Sequence, residues 1–330
     1  MPMTTKESLG LFGENKDKIA AMVETEHTKG IKNIFLIGCG GTYTLAMPWK
    51  YFADEHTTLP VFDEIAAELV NKNHLHLGEG SLCLFSSVSG DTKEIISAME
   101  YCRQRGAVNA AILVKKGSQM EKLSDYTFYA PNDNSFTSFF CGYAQIMAKV
   151  LSLRGEFPGY ERFSVQLYTI GEALDKAAAD MNSKCIFYAA RNAHAPWHMV
   201  IGSGTCWGEA TCYAMCIMEE MQWIRTRPIH AAEFFHGTIE LVEKDLPVIM
   251  MIGEDGSRPL AMRAYGFLKN MTNEILVFDS KNFALPVDEE FRAILSPAVM
   301  MAATEPLNKA FQTERNHDLA VRRFYRQMEY

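Results

Sequence analysis

The stretch Ser86-Ser87-Val88-Ser89-Gly90-Asp91-Thr92 places four hydroxyls within seven residues, directly after the apolar run from Ser81 to Phe85. Each hydroxyl can donate a hydrogen bond. A helix beginning near Asp91 adds N–H groups without helical partners and a partial positive charge. Together they make an uncharged cradle suited to a phosphate dianion. The plainer alternative is a serine N-cap with ordinary turn residues. Four hydroxyls exceed what a cap requires, so phosphate binding is the expectation.

Proton transfer is the second chemistry these residue types allow. Adjacent carboxylates stand in Met218-Glu219-Glu220-Met221-Gln222-Trp223-Ile224, and two histidines and a carboxylate in Ile229-His230-Ala231-Ala232-Glu233-Phe234-Phe235-His236-Gly237. A Met- and Trp-rich apolar helix would desolvate Glu220 and make it a better base. One of two adjacent carboxylates is ordinarily a solvated helix face, and Glu219 is assigned that part. A lone histidine is more often a satisfied core residue, so His230 and Glu233 are read as supporting or structural.

The elements that must position these groups follow an α/β pattern. Strands are expected over 31–37, 59–62, 81–85, 108–114 and 126–130, and again over 197–201, 246–252 and 274–278. Between and around them come helices: a first amphipathic one over 14–28, then others near 63–71, 91–106, 135–154, 164–193, 207–225 and 258–271, with helices filling the tail. Strands alternating with helices imply parallel sheets covered on both faces. Ile37-Gly38-Cys39-Gly40 and Ile201-Gly202-Ser203-Gly204 each end a strand and open a helix, 164 residues apart. That repeat suggests a duplicated α/β domain, divided here as 1–160 and 161–330. Neither turn is a dinucleotide fingerprint, because Tyr43 and Trp207 stand where GxGxxG needs its last glycine, and no GxxxxGK[ST] occurs.

Composition narrows the classes. At 330 residues, two lobes are expected, and 48% hydrophobic with 22% charged residues is an ordinary globular balance. A net charge of −8 without basic clusters disfavours nucleic acid. No apolar run approaches the roughly 18 residues of a membrane span, and Met1-Pro2-Met3-Thr4-Thr5-Lys6-Glu7 lacks a secretory core, so the cytoplasm is expected. The eight cysteines form no CxxC pair and read as buried small hydrophobes of a reducing compartment. Cys212 and Cys216 lie one helical turn apart, yet nothing completes a tetrahedral set, so no metal and no cofactor are expected.

Ser-Ser-Val-Ser-Gly-Asp-Thr resembles the Ser-x-Ser-Gly-x-Thr signature of the sugar isomerase (SIS) domain family, whose members bind phosphosugars. Cys39-Gly40-Gly41-Thr42 sits where that family has its first Gly-rich turn. The resemblance implies two tandem SIS domains, each a parallel sheet flanked by helices in three layers, with a helical C-terminal tail. Within the family the chain is most similar to the fructosamine-6-phosphate deglycases, typified by fructoselysine-6-phosphate deglycase. The segments 218–224 and 229–237 carry that likeness, with Asp255-Gly256-Ser257-Arg258-Pro259, Glu314-Arg315-Asn316-His317, Arg322-Arg323-Phe324-Tyr325 and the terminal Glu329-Tyr330. It spans nearly the whole chain.

The resemblance also assigns roles. In the family a Glu and a His sixteen residues later form the acid–base pair, which selects Glu220 and His236. Ser87, Ser89 and Thr92, with Gly41 and Thr42, would hold the 6-phosphate. His230, Glu233, Arg322 and Arg323 would stand behind the reacting groups. Glucosamine-6-phosphate synthase, which shares the scaffold, uses two lysines. Ile217 and Val321 occupy those places here, and the last twenty-one residues hold no lysine. A deglycase substrate brings its own amine, so the loss fits cleavage of a phosphorylated sugar–amino acid adduct to glucose 6-phosphate. The family implies a homodimer or higher homo-oligomer, with His236 reaching a neighbour's site. These residues leave the amine open. They also leave open an amino-sugar-phosphate isomerase or deaminase, and a phosphosugar sensor without catalysis.

Overall fold

The computed structural model describes residues 2–328. They form two compact units, one of residues 2–172 with Pro286–Asp288, the other of Ala173–Leu285 with 289–328. Met1 and the Glu329-Tyr330 end of the tail lie outside the described residues.

The first unit holds a five-stranded sheet of β1 (Asn33–Gly38), β2 (Val61–Ile65), β3 (Ser81–Ser87), β4 (Val108–Leu113) and β5 (Tyr126–Tyr129). Its order is β2-β1-β3-β4-β5 and every pairing is parallel. β1 and β3 are buried along their whole length. A parallel sheet with both faces covered needs continuous apolar strands, and Ile34 to Ile37 and Leu82 to Phe85 supply them. Phe35, Ile37, Cys83 and Phe85 pack with Ile95, Met99 and Cys102 of the helix Lys93–Gln104. The helix Ser135–Leu153 is apolar on most sides and buries Phe139, Phe140, Tyr143 and Met147.

Several boundaries differ from expectation. The helix expected over 14–28 is Lys16–Lys29, and an unforeseen helix, Thr5–Gly13, precedes it, opened by a Thr4–Glu7 capping box. β2 starts later than expected and carries Asp63 and Glu64, which propensity had assigned to a helix. β3 runs on to Ser87, so Ser86 and Ser87 are strand residues and not loop. The stretch 164–193 breaks into Tyr160–Gln166 and Gly171–Asn192.

The second unit repeats the plan with β6 (His198–Gly202), β7 (Thr226–His230), β8 (Val248–Ile252) and β9 (Ile275–Asp279). Its all-parallel order, β7-β6-β8-β9, matches β2-β1-β3-β4 of the first unit. β7 was not foreseen: Thr226-Arg227-Pro228-Ile229-His230 carries a proline, which a sheet tolerates at the edge, where β7 lies. The helix expected over 207–225 is an α-helix only from Trp207–Cys212. It continues as a π-helix, Tyr213–Met221, and stops before Trp223, whose φ of 54° is left-handed. The tail is one long helix, Glu289–Arg315, followed by turns. Among the described residues no helix is long and apolar enough to cross a membrane.

Candidate functional site

In the first unit β1 ends at Gly38, and the chain turns through Gly40 (φ 55°) into the short helix Gly41–Thr44. A Cβ on Gly38 would run into the backbone of Thr42 and Tyr43, so only glycine permits this closeness. The Thr42 hydroxyl donates to the Cys39 carbonyl at 3.0 Å and accepts from the Cys39 N–H at 3.2 Å. Thr42 thereby closes its own turn, a structural duty the sequence did not disclose.

The hydroxyl cluster separates into two kinds of residue. Ser86 is fully buried, and its Oγ pairs with the buried Tyr143 hydroxyl at 3.2 Å, so it belongs to the core. Ser87 accepts the Gly90 N–H at 2.9 Å, which shapes the loop and keeps its own hydroxyl hydrogen for donation. Gly90 has φ 66°, and a Cβ there would collide with Ser118. Ser89 and Thr92 are partly exposed, with Thr92 at the N-cap of Lys93–Gln104. The first of that helix's backbone bonds runs from Ile96 N to Thr92 O, so Lys93, Glu94 and Ile95 have N–H groups without intrahelical acceptors. Asp91 turns to Lys115 at 2.8 Å and to the Gln119 N–H at 3.2 Å, and the Lys115 bond first of all holds its carboxyl below the usual range. A helix N-terminus with hydroxyls at its mouth can hold a phosphate.

The equivalent turns of the second unit are closed. After β8, Asp255 takes the place of the serine-rich loop. Its carboxylate accepts the Thr205 N–H at 3.0 Å, the Thr205 hydroxyl at 2.5 Å and the Ser257 N–H at 2.8 Å. Ser203 and Ser257 pair through their hydroxyls at 3.0 Å. An internal carboxylate thus occupies donors that an external anion would need.

Glu220 lines a cavity of about 930 Å³ in the second unit. Its walls are the end of the π-helix, the turn at Ala195 and Pro196, and the tail from Arg315 to Tyr325. π-Helical turns bulge a helix outward and recur at functional sites. Glu219 is exposed and accepts from the Thr226 hydroxyl at 2.7 Å, the solvated role expected for it. Glu220 differs from expectation: it meets a guanidinium and not an apolar wall. Arg322 Nε donates to Glu220 Oε1 at 2.9 Å, and Arg322 Nη1 donates to the carbonyls of Leu319 and Val321. Arg322 therefore touches the carboxylate directly, where a more remote part had been expected. Arg323 lies over the Trp223 ring at 3.9 Å, and His317 meets the same ring edge-on. Arg315 donates to the Ala193 carbonyl, while its Nε is buried without a partner among the described residues. Burial lowers its pKa from the ordinary guanidinium value.

His236 is exposed in the turn after β7, its N–H bonded to the Glu233 carbonyl at 3.0 Å, and it does not line the Glu220 cavity. Within its unit the structure therefore does not bring His236 into the cavity that holds Glu220. His230 packs edge-on against Trp207 and accepts the Ala232 N–H at Nδ1, and burial lowers its pKa. Glu233 is exposed. Among the described residues no group of three or more His, Cys, Asp or Glu is placed to hold a metal, and none of the eight cysteines forms a disulfide. Sequence reasoning named Arg315 and Trp223 without giving them a role at the site, and it overlooked Arg225. The one available signal was the density of arginine beside aromatic residues at both ends of that wall.

Comparison with known proteins adds the following. Residues 29–153 match the SIS domain. A fructosamine deglycase of Bacillus subtilis is 28% identical over 318 residues, spanning 95% of this chain and 97% of its own. A fructoselysine 6-phosphate deglycase of Escherichia coli is 22% identical, over 93% of this chain and 89% of its own. A Bacillus subtilis crystal structure, described as that of a candidate phosphosugar isomerase, superposes with a TM-score of 0.90 at 27% identity, covering 95% of this chain and 97% of that one.

Proposed function

We propose that this SIS-domain chain is an enzyme, a deglycase that cleaves a 6-phosphorylated fructosamine into glucose 6-phosphate and a free amine. The observation that carries the reading is the Glu220 cavity: it offers a partly exposed carboxylate among arginines, and among the described residues no lysine lines it. An enzyme that makes its own Schiff base needs such a lysine, whereas a substrate that already bears nitrogen on C1 needs only a base. The likeness to two deglycases over most of the chain supports the same reading.

In the proposed reaction Ser87, Ser89 and Thr92, with the Gly41–Thr42 turn, hold the 6-phosphate. His236, contributed by a neighbouring copy of the chain, moves the proton that opens the sugar ring. Its exposure and its place outside its own chain's Glu220 cavity favour that arrangement. Glu220 takes a proton from C1, and the C1–H electrons form the C1=C2 bond of an enaminol as the C2 carbonyl oxygen takes a proton from water and becomes a hydroxyl. Glu220 returns a proton to C2, which leaves an imine at C1. Water adds to that carbon, the C1–N bond breaks and the amine departs, so adduct and water become aldose 6-phosphate and amine. Arg322 keeps Glu220 aimed. Acid–base steps of this kind supply about 10²–10⁴-fold each. The enzyme works as a homodimer or higher homo-oligomer in the cytoplasm.

The test is to incubate the protein with a panel of phosphorylated adducts and follow glucose 6-phosphate and free amine together. Equal release of both from a phosphorylated fructosamine is the expected result. Release of ammonia from glucosamine 6-phosphate, with the fructosamines untouched, would assign the scaffold to amino-sugar deamination instead.

A further inference from the structure

Resting on the deglycase reading, we infer that the arginines of the Glu220 cavity recognise a carboxylate on the amine half of the substrate, which selects adducts of α-amino acids. The first argument is charge. Among the described residues, Arg225, Arg315, Arg322 and Arg323 share one cavity with two carboxylates, Glu219 and Glu220, in a chain whose net charge is −8. Glu219 is engaged by Thr226, and Glu220 by Arg322, among the described residues. An acidic protein that gathers surplus cations around one carboxylate has built a place for an anion.

The second argument is which guanidinium groups remain available. Arg322 uses Nε and Nη1, and its Nη2 has no partner among the described residues. Arg323 is stacked on Trp223 and has no carboxylate partner among the described residues. Stacking restrains the planar fork, so less freedom is lost when it grips a carboxylate with two parallel bonds.

The third argument is reach. A base acting on C1 must approach that carbon, and the substrate nitrogen is bonded to it. In an α-adduct the carboxylate carbon is two bonds from the nitrogen, about 2.5 Å away at ordinary bond lengths. It then falls beside the guanidinium that already touches Glu220 at 2.9 Å. In an adduct through a lysine side chain the carboxylate carbon is six bonds away, up to about 7 Å, beyond that contact. An adduct of a simple amine has no carboxylate to offer.

Three 6-phosphofructosyl adducts test this: of glycine, of ethanolamine, and of Nα-acetyl-lysine through its side-chain nitrogen. For the wild-type protein kcat/KM on the glycine adduct should exceed the other two by about 10- to 150-fold, the range of one hydrogen bond to a charged group. In Arg323→Gln the preference should fall about tenfold or more, and Arg323→Lys, which keeps the charge and loses the fork, should lie between. Arg323 is exposed, so these variants should keep the wild-type melting temperature. Equal rates on all three adducts would overturn the inference and leave the deglycase reading standing. Release of amine from none would overturn both. If Arg323→Gln weakened inhibition by glucose 6-phosphate as much as it slowed the glycine adduct, the arginines would bind phosphate, and the inference would fail.

Discussion

Asp255→Ala offers a direct test of why the two units, built on one plan, differ as anion sites. Asp255 is 7% exposed and its carboxylate accepts from Thr205 N, Thr205 Oγ1 and Ser257 N. Its removal strands two backbone donors. The Thr205 hydroxyl keeps an acceptor, the Ala293 carbonyl at 3.3 Å. Each buried unsatisfied donor costs about 1–3 kcal/mol, so a loss of about 2–6 kcal/mol is expected. For a unit of this size that lowers the melting temperature by roughly 4–24 °C. The same vacancy should accept an external anion, because sulfate can supply the missing acceptors. Differential scanning calorimetry in sodium sulfate and in sodium chloride of equal ionic strength separates this from general salt effects. Sulfate should raise the variant's melting temperature several degrees more than the wild type's. An equal gain in both proteins would show that the turn is not a closed anion site, and a variant as stable as wild type would remove the premise.

Three further predictions follow from other parts of the molecule. Ser89→Ala and Thr92→Ala should each weaken binding of a phosphorylated adduct by about 1.5–3 kcal/mol in calorimetry and leave the weak binding of the unphosphorylated adduct unchanged; equal affinity of wild type for both adducts would rule out the cradle. His198 is fully buried between the Tyr188 hydroxyl (3.2 Å) and the Asn192 carbonyl (3.1 Å), and burial lowers its pKa to about 4. The unfolded chain takes up this proton near pH 6.5 and the folded chain only near 4, so stability is lost as pH falls through that window, by about 3 kcal/mol in all. Urea titrations of His198→Gln should lack that part of the pH dependence, and an unchanged slope would contradict it. Mixed and re-equilibrated Glu220→Gln and His236→Ala homo-oligomers, each nearly inactive, should recover up to about a quarter of wild-type activity if subunits pair at random; no recovery after confirmed exchange would place His236 outside the neighbour's site.

Regular strands were the most legible part of the fold. Ile34 to Ile37 and Val248 to Ile252 are uninterrupted apolar runs, and their shortness, with glycine turns following them, selects a strand buried on both faces over a buried helix segment. The tandem plan showed in the paired glycine turns, because Gly38 and Gly202 each permit a strand to turn tightly into a helix. β7 escaped notice because a proline and an arginine sit inside it, a cost that only an edge position removes. The π-helix left no trace in local propensity, since Tyr213 to Met221 suits an α-helix equally well. At the candidate site, the hydroxyl cluster and Glu220 were visible as residue types. Their partners were not: Ser86 with Tyr143 is 57 positions apart, and Arg322 with Glu220 is 102. Such pairings arise from tertiary packing, so a carboxylate that looked desolvated in its own helix proved to be paired with a cation from the tail.

The proton's route is the core of the account, and the product formed in heavy water reports it directly. Glu220 is partly open to solvent, with 29% of its side chain exposed, so a proton taken from C1 exchanges before return. When a phosphorylated fructosamine is cleaved in D₂O, the sugar released should be glucose 6-phosphate carrying deuterium at C2, seen by NMR and mass spectrometry, and Glu220→Gln should release none. Fructose 6-phosphate as the product would contradict the account, because the C1–N bond would then break with no proton moved from C1 to C2, and glucose 6-phosphate without deuterium at C2 would contradict transfer through a solvent-open Glu220.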